Sequence, residues 1–312
     1  MIEKKPTISV IIPVYNSEKS LPDLLVALTD ELPKITSAFE IIMINDGSKD
    51  NSWEVINNLI TKFKHVSAIN LMRNFGQHNA LLCGIRQANY DLVVTLDDDL
   101  QHDPALISVL IDKLNEGYEV VYGAPLAERH GVWRDFASVI TKATLSTVMN
   151  AKSARHVSAF RIFYTYLRDA FANYQGPSVS LDVLLTWGTS KFGYVEVPHR
   201  KREIGKSNYN FRKLVVHALN LLTGFSTIPL RLATGVGFLF LFFGLIILFY
   251  VLIRFLIQGG VVPGFTFLAS VIVIFSGVQL FTLGIMGEYM ARMHFRLMDK
   301  PTYTIKEKKS ND

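Results

Sequence analysis

From Leu232 to Ile253, and again from Phe265 to Gly287, the chain carries no charged side chain. Coiled as a helix, each stretch is long enough to cross a hydrocarbon layer of about 30 Å, where a backbone must satisfy its own hydrogen bonds. Gln258–Gly264, uncharged and rich in Gly and Pro, joins them into a hairpin. Positive charge flanks the pair on one side only: His199-Arg200-Lys201-Arg202 precedes it, and Arg292, Arg296, Lys300, Lys306, Lys308 and Lys309 follow. The bias of Lys and Arg toward the cytoplasmic face places both termini, and everything ahead of the hairpin, in the cytoplasm. The N-terminus runs straight into a strand-like segment and shows no signal-peptide pattern.

The net charge of +5 admits nucleic acid or an anionic membrane surface as its cause. With no basic helix interleaved with aromatics and no zinc-finger spacing, the membrane is the expected partner and nucleic acid is not. Cys83 is the sole cysteine, which excludes an internal disulfide and a cysteine-based metal cluster and suits a reducing compartment.

Ahead of the hairpin, short apolar runs alternate with helical patterns. Ile8–Val14, Glu40–Ile44, Val66–Leu71, Leu92–Leu96 and Glu119–Tyr122 read as strands. Leu21, Leu24, Leu25, Leu28 and Leu32 mark one helix, about Gln77–Ala88 another, and Asp103-Pro104 opens a third as N-cap and first residue. Such a series predicts an α/β domain with a mostly parallel sheet covered by helices. Farther on, Val132–Met149 reads as amphipathic, and Tyr209 to about Ile228 as a helix lying on a membrane surface.

In a sheet of this kind ligands bind beyond the carboxyl ends of the strands. Four polar clusters sit there: Tyr15-Asn16, Asp46-Gly47-Ser48, Arg73-Asn74 and Asp97–Gln101. If the chain stays extended through Asp97-Asp98-Asp99, alternate residues share a face, so Asp97, Asp99 and Gln101 point together and Asp98 elsewhere. Two carboxylates and an amide oxygen form a partial hard-oxygen shell for Mg²⁺ or Mn²⁺, of the kind completed by waters and phosphates. The alternative is an acidic loop capping the next helix. Asp46 suits a nucleobase or ribose, or an ordinary Asx-turn. Arg73 suits a phosphate, or the open surface. His78 suits a ligand, a base or a polar helix start. The basic stretch His199–Ser207 suits a lipid-linked phosphate or anionic headgroups equally.

The ordered set Pro13-Val14-Tyr15-Asn16, Asp46-Gly47-Ser48, Arg73-Asn74-Phe75-Gly76 and Leu96–Gln101 resembles the inverting family-2 glycosyltransferases of the GT-A, Rossmann-like fold. Phe160-Arg161 and Arg202–Ser207 narrow the resemblance to the polyprenyl-phosphate branch. The run Arg73–His78 and the hairpin narrow it further, to bacterial undecaprenyl-phosphate sugar transferases. The resemblance implies a GT-A catalytic domain over residues 1–207, amphipathic interface helices at 208–230, two transmembrane helices at 231–290 and a basic cytoplasmic tail at 291–312. It implies a multi-pass protein of the bacterial inner membrane that takes a nucleotide-sugar donor, a polyprenyl-phosphate acceptor and Mg²⁺ or Mn²⁺, and that assembles as a homotetramer. Pro13, Tyr15, Asn16, Asp46, Arg73, Asp97 and Asp98 would bind the donor. Asp97, Asp99 and Gln101 would hold the metal. Arg202, Lys206 and Ser207 would bind the acceptor phosphate, Arg161 would contact the donor diphosphate or acceptor phosphate along with Arg202 and Ser207, and Asp99, Arg161 and Arg202 would form the catalytic set. Two departures stand out: Asp98 where the family often has a small residue, and Asn208 where it usually has lysine after the serine.

Processive polysaccharide synthases share the early motifs, but they carry a Gln-x-x-Arg-Trp motif and more spans, and no Arg-Trp pair occurs here. A non-catalytic membrane scaffold would be expected to lose the acidic cluster, which is intact. Transfer to another lipid with a neutral hydroxyl would need a base, for which His102, Asp98 and Asp182 are available.

Overall fold

The computed structural model describes residues 5–126, 156–176, 179–198, 227–258 and 264–311. The amphipathic stretch at 132–149, the basic stretch at 199–207 and nearly all of the interface helix expected at 209–228 lie outside the described residues. The described residues fall into two compact units: those within Met1–Ala218 together with Lys300–Asp312, and those within Leu219–Asp299.

The first unit is a mixed eight-stranded sheet. Its strands are β1 (Thr7–Val14), β2 (Ala38–Asn45), β3 (Val66–Leu71), β4 (Leu92–Thr95), β5 (Val120–Pro125), β6 (Arg161–Tyr164), β7 (Phe192–Val197) and β8 (Ile305–Ser310), in the order β7-β5-β6-β4-β1-β2-β3-β8. The run β4-β1-β2-β3 is parallel, so four carboxyl ends open on one edge. Antiparallel pairing enters around β6 and at β8. β1 is buried along all but its first residue, as a strand covered on both faces must be.

Helix α1 (Leu21–Ile35) buries its leucines at 21, 24, 25, 28 and 32 in the main core, and α2 (Ser52–Lys62) buries Ile56, Leu59 and Ile60. Helix α3 (Gln77–Ile85) lies so close to the sheet that a Cβ on Gly84 would stand 2.5 Å from Ile11 Cγ2 and 2.6 Å from Ile44 Cδ1. That glycine lets α3 cross over β1 and β2, which brings its N-terminus to the carboxyl edge. The Asp103 side chain accepts from Ala105 N at 3.1 Å and so caps the turn ahead of α4 (Ile107–Asn115). A short helix, α5 (Leu181–Leu185), precedes β7.

The second unit holds α6 (Ile228–Gln258) and α7 (Phe265–Leu297), both long and apolar enough to cross a membrane. Among the described residues the most apolar stretch of each is unburied, so their exposed Phe, Leu and Ile side chains match a lipid environment.

The segment expected as a free basic tail is different. After α7 the chain returns to the first unit and adds β8 to the sheet, with Ser67 opposite Ser310 and Ile69 opposite Lys308. Met72 N donates to Thr304 O at 2.9 Å, Arg86 donates to the Tyr303 hydroxyl, and Lys308 donates to Gln87 at 2.7 Å. The Lys309 ammonium lies 5.7 Å from the Trp53 ring centroid. Cys83 is buried beside Tyr303, and burial pushes its thiol up to about 12, which makes it unreactive. Lys306, Lys308 and Lys309 thus serve an edge strand, where lysines discourage further strand addition. Removal of residues 301–312 should lower the thermal midpoint of the full-length protein in detergent by several degrees, read by tryptophan fluorescence; an unchanged midpoint would return the segment to the status of an appendage.

Candidate active site

Pro13 is buried within β1, opposite Ile44, so it shapes the floor of the edge and does not line its surface. Backbone groups of β1 alternate sides; Val14 O faces β2, where it accepts from Asp46 N, and Ile11 O faces β4, where it accepts from Leu96 N. Pro13 also faces β4 and has no N–H to give, so the β1–β4 ladder stops there. The chain beyond Leu96 is released into a turn. This overturns the extended-chain reading of the acidic triplet: β4 ends at Thr95, and Leu100 adopts a left-handed backbone with φ 60°. Asp98 does point away from its neighbours, but because of the turn.

The four loops at this edge are sewn into a closed ring. The β1 loop meets the β2 loop through Asn16 N to Ser48 Oγ (3.0 Å), Lys49 N to Asn16 Oδ1 (2.7 Å), Ser17 N to Ser52 Oγ (2.8 Å) and Asn51 N to Glu18 Oε2 (3.0 Å). The β2 loop meets the β3 loop through Asp46. Its two carboxylate oxygens accept from Phe75 N (2.7 Å) and Gly76 N (2.8 Å). Below them Asn45 donates to Asn70 at 2.8 Å. Gly47 has φ 63°, and a Cβ there would lie 2.4 Å from Asn74 N, so only glycine lets these loops touch. Next, Gln77 at the start of α3 donates to Asp97 Oδ1 at 2.7 Å. Asp98 closes the ring by accepting from Tyr15 N (3.2 Å) and from the Ser17 hydroxyl. Asp99 accepts from its own turn, at Gln101 N (3.2 Å).

Burial pushes the Asp46 carboxyl up, against the pull of the two amides and of Arg73. Burial likewise pushes Asp98 up, opposed by Ser17 and Tyr15 and reinforced by the negative charge of Asp99. Tyr15, Asn16 and Arg73 are exposed, with the Arg73 guanidinium 4.2 Å over the Phe75 ring.

Arg161 stands opposite Thr95 on β6 and is only 2 % exposed. It forms an ion pair with Asp182 of α5, whose carboxylate also accepts from the Tyr122 hydroxyl at 3.0 Å. Burial, then the charge of Asp182, pushes the Tyr122 phenol well above its ordinary range. His78 fixes the start of α5 by accepting from Leu181 N at 3.3 Å. The direct phosphate contact expected of Arg161 is therefore not what the structure shows: its guanidinium is inside the protein and its charge is matched there. His102 is buried too, stacked on Phe160 with centroids 4.9 Å apart. Arg202, Lys206 and Ser207 lie outside the described residues. Sequence reasoning gave no role to Ser17, Ser48, Ser52 and Gln77, although Ser48 and Gln77 lie inside motifs that marked the edge, Ser17 directly follows one, and Ser52 is four residues beyond Ser48.

Among the described residues no three His, Cys, Asp or Glu side chains gather as a protein-only metal cage would require. Asp97, Asp99 and Gln101 suit a different case, a hard cation that takes a few protein oxygens and completes its shell from a phosphorylated substrate. Asp99 and Gln101 are held together by their shared turn, and Asp98 is turned out of the set by the clasp.

The family profile described as glycosyl transferase family 2 matches residues 9–173, which spans the whole ring and Arg161. This chain belongs to glycosyl transferase family 2. Full-length relatives agree. It is 34 % identical over 309 residues to the undecaprenyl-phosphate 4-deoxy-4-formamido-L-arabinose transferase of Proteus mirabilis, covering 98 % of this chain and 94 % of that protein. The transferase of the same name from Photorhabdus laumondii is 32 % identical over 317 residues, covering 99 % and 98 %. Among solved structures, glucosyl-3-phosphoglycerate synthase from Mycobacterium tuberculosis, in complex with Mn²⁺, UDP and phosphoglyceric acid, superposes with a TM-score of 0.53 at 17 % identity. The match covers 70 % of this chain and 76 % of that one and supports the GT-A architecture.

For this glycosyltransferase, Asp182→Asn should destabilise the fold by about 3–5 kcal/mol, because it leaves the buried Arg161 without a counter-charge. Replacing both, as Arg161→Met with Asp182→Leu, should recover most of that loss in a denaturant titration. A single substitution that lowers turnover with no loss of stability would instead put Arg161 against the substrate.

Proposed function

We propose that this chain transfers one sugar from a nucleotide-sugar donor to a polyprenyl phosphate, undecaprenyl phosphate in a bacterium, with inversion at the anomeric carbon. The observation that carries the reading is the span of the similarity. Relatives named as undecaprenyl-phosphate sugar transferases match 98–99 % of this chain, the two long apolar helices included. A lipid acceptor accounts for those helices, since they keep the active site where the acceptor's headgroup is. The names of the relatives make a nucleotide-linked 4-deoxy-4-formamido-L-arabinose the first donor to try.

The chemistry asks for little beyond placement. A phosphate monoester is anionic near neutral pH, so its oxygen attacks the anomeric carbon without strong help from a base. As that bond forms, the bond to the donor diphosphate breaks and the nucleotide diphosphate leaves. Tyr15, Asn16 and Arg73 stand where the base, ribose and phosphate of a donor would lie across the strand ends. Asp97, Asp99 and Gln101 would hold Mg²⁺ or Mn²⁺, which when bound neutralises charge on the leaving diphosphate. Asp46 keeps the Phe75–Gly76 turn beside the donor in place, and the Arg161–Asp182 pair stiffens the floor under the acidic turn. Arg202, Lys206 and Ser207 are assigned to the acceptor phosphate on their motif. The chain leaves the sheet unit before α6 and rejoins it through β8 after α7. An excursion that returns to one folded unit crosses a bilayer an even number of times, which supports one common side for that unit and both termini; the Lys and Arg bias around the hairpin is what makes the cytoplasm that side.

Asp99→Ala should lower formation of lipid-linked sugar in membranes by at least about 100-fold, an effect of about 2.7 kcal/mol, with expression and insertion retained. Excess chelator should do the same to the unaltered protein. Full turnover in either case would contradict the cation assignment.

A further inference from the structure

Asp98 has no part in the proposed cation site, and its contacts give it another one. Its Oδ2 accepts from Tyr15 N and from the Ser17 hydroxyl, both in the β1 loop, more than eighty residues away in sequence. The backbone on each side of this contact is held in a costly shape. Asn16, between the two donors, has φ 56°, and Leu100, two residues beyond Asp98, has φ 60°. Asparagine tolerates the left-handed region; leucine does so rarely, at a cost of roughly 1–2 kcal/mol. Such backbone persists where surrounding contacts over-determine it. Leu100 is fixed by packing on the core. Asn16 is fixed by Ser48 and Lys49 on one side and by Asp98 beneath Tyr15 and Ser17 on the other.

The β1–β4 ladder does not join these loops, because Pro13 ends it. Among the described contacts, the Asp98 carboxylate is what ties the β1 loop to the acidic turn directly. On the proposed function, the β1 loop meets the nucleoside end of the donor and Asp97 and Asp99 serve its diphosphate end. Those two ends are joined by a few rotatable bonds, so the span between them in any nucleotide is limited and a site that holds both has to match one extent of it. We propose that Asp98 is a positioning residue that touches neither donor nor cation and sets the spacing between the nucleoside loop and the diphosphate turn. What the contact requires of residue 98 is an acceptor oxygen, not a charge. The proposal rests on the donor reading above for its consequence, but the clasp itself is independent of it.

The test uses the full-length protein in detergent and two readouts. The first is UDP affinity at saturating Mn²⁺ by calorimetry. Asp98→Ala should weaken binding about tenfold, or about 1.4 kcal/mol. Asp98→Asn, which keeps an acceptor oxygen and loses the charge, should restore it to within about threefold. Ser17→Ala should show part of the loss, and adding it to Asp98→Ala should cost little more, since both remove one interaction. The second readout is amide hydrogen exchange over residues 15–18, which should speed up in Asp98→Ala and return to the native rate in Asp98→Asn. If Asp98→Asn binds UDP as poorly as Asp98→Ala while exchange is native, the charge is what matters, and Asp98 acts on the donor or cation. If Ser17→Ala and Asp98→Ala are strictly additive, or Asp98→Ala leaves both readouts unchanged, the clasp is refuted. Should the unaltered protein fail to bind UDP with Mn²⁺, a uridine nucleotide is not its donor, and hydrogen exchange alone decides the clasp. Should Asp98→Ala fail to fold, Ser17→Ala and Asp98→Asn still decide it.

Discussion

Three of the four joints between loops at the carboxyl edge of this sheet are carboxylates that accept hydrogen bonds from another loop. Asp46 takes two backbone amides of the β3 loop, Asp97 takes the Gln77 amide, and Asp98 takes an amide and a hydroxyl of the β1 loop. Each of these oxygens satisfies a donor that belongs to a different loop. Joined end to end, these hydrogen bonds convert four separate turns into one rigid rim. A rim of this kind suits a reaction in which two anionic substrates must be brought together and one leaving group stabilised, because little else is asked of the protein.

The rim in turn depends on deeper features. Gly84 allows α3 to lie against β1 and β2, which delivers Gln77 to Asp97. Gly47 allows the β2 and β3 loops to meet. Pro13 stops the ladder between β1 and β4 and frees the acidic turn. Behind the turn, the buried group of Arg161, Asp182 and Tyr122 joins β5, β6 and α5. At the far edge, β8 arrives from beyond the apolar hairpin and packs Tyr303 against Arg86 and Cys83 of the α3 segment. The two flanks of the hairpin therefore belong to one folded unit.

Much of this was legible in the sequence. The strands β1 to β5 are mostly apolar runs, and each of the first four is followed by a polar cluster, so the convergence of Tyr15, Asp46, Arg73 and Asp97 needed only the α/β rule. Other parts were not legible. β6 is short and β7 alternates weakly, so neither stands out from the loops around it. Five of the six residues of Ile305–Ser310 are charged or polar because only one of its sides is covered, and the segment read as a tail. Strand alternation gave the triplet the wrong backbone path, since nothing local announces that Leu100 takes a left-handed conformation. Arg161 read as a phosphate ligand because its partner Asp182 is far along the chain and in no shared motif.

The central claim is that the acceptor is a lipid phosphate and that a single sugar is transferred. The most direct test supplies the purified full-length protein with nucleotide sugars and either undecaprenyl phosphate or the corresponding undecaprenol, and reads the lipid by mass spectrometry. The account predicts a product heavier than undecaprenyl phosphate by one sugar residue, and none from the alcohol. A ladder of products carrying many sugars, or equal transfer to the neutral alcohol, would contradict it.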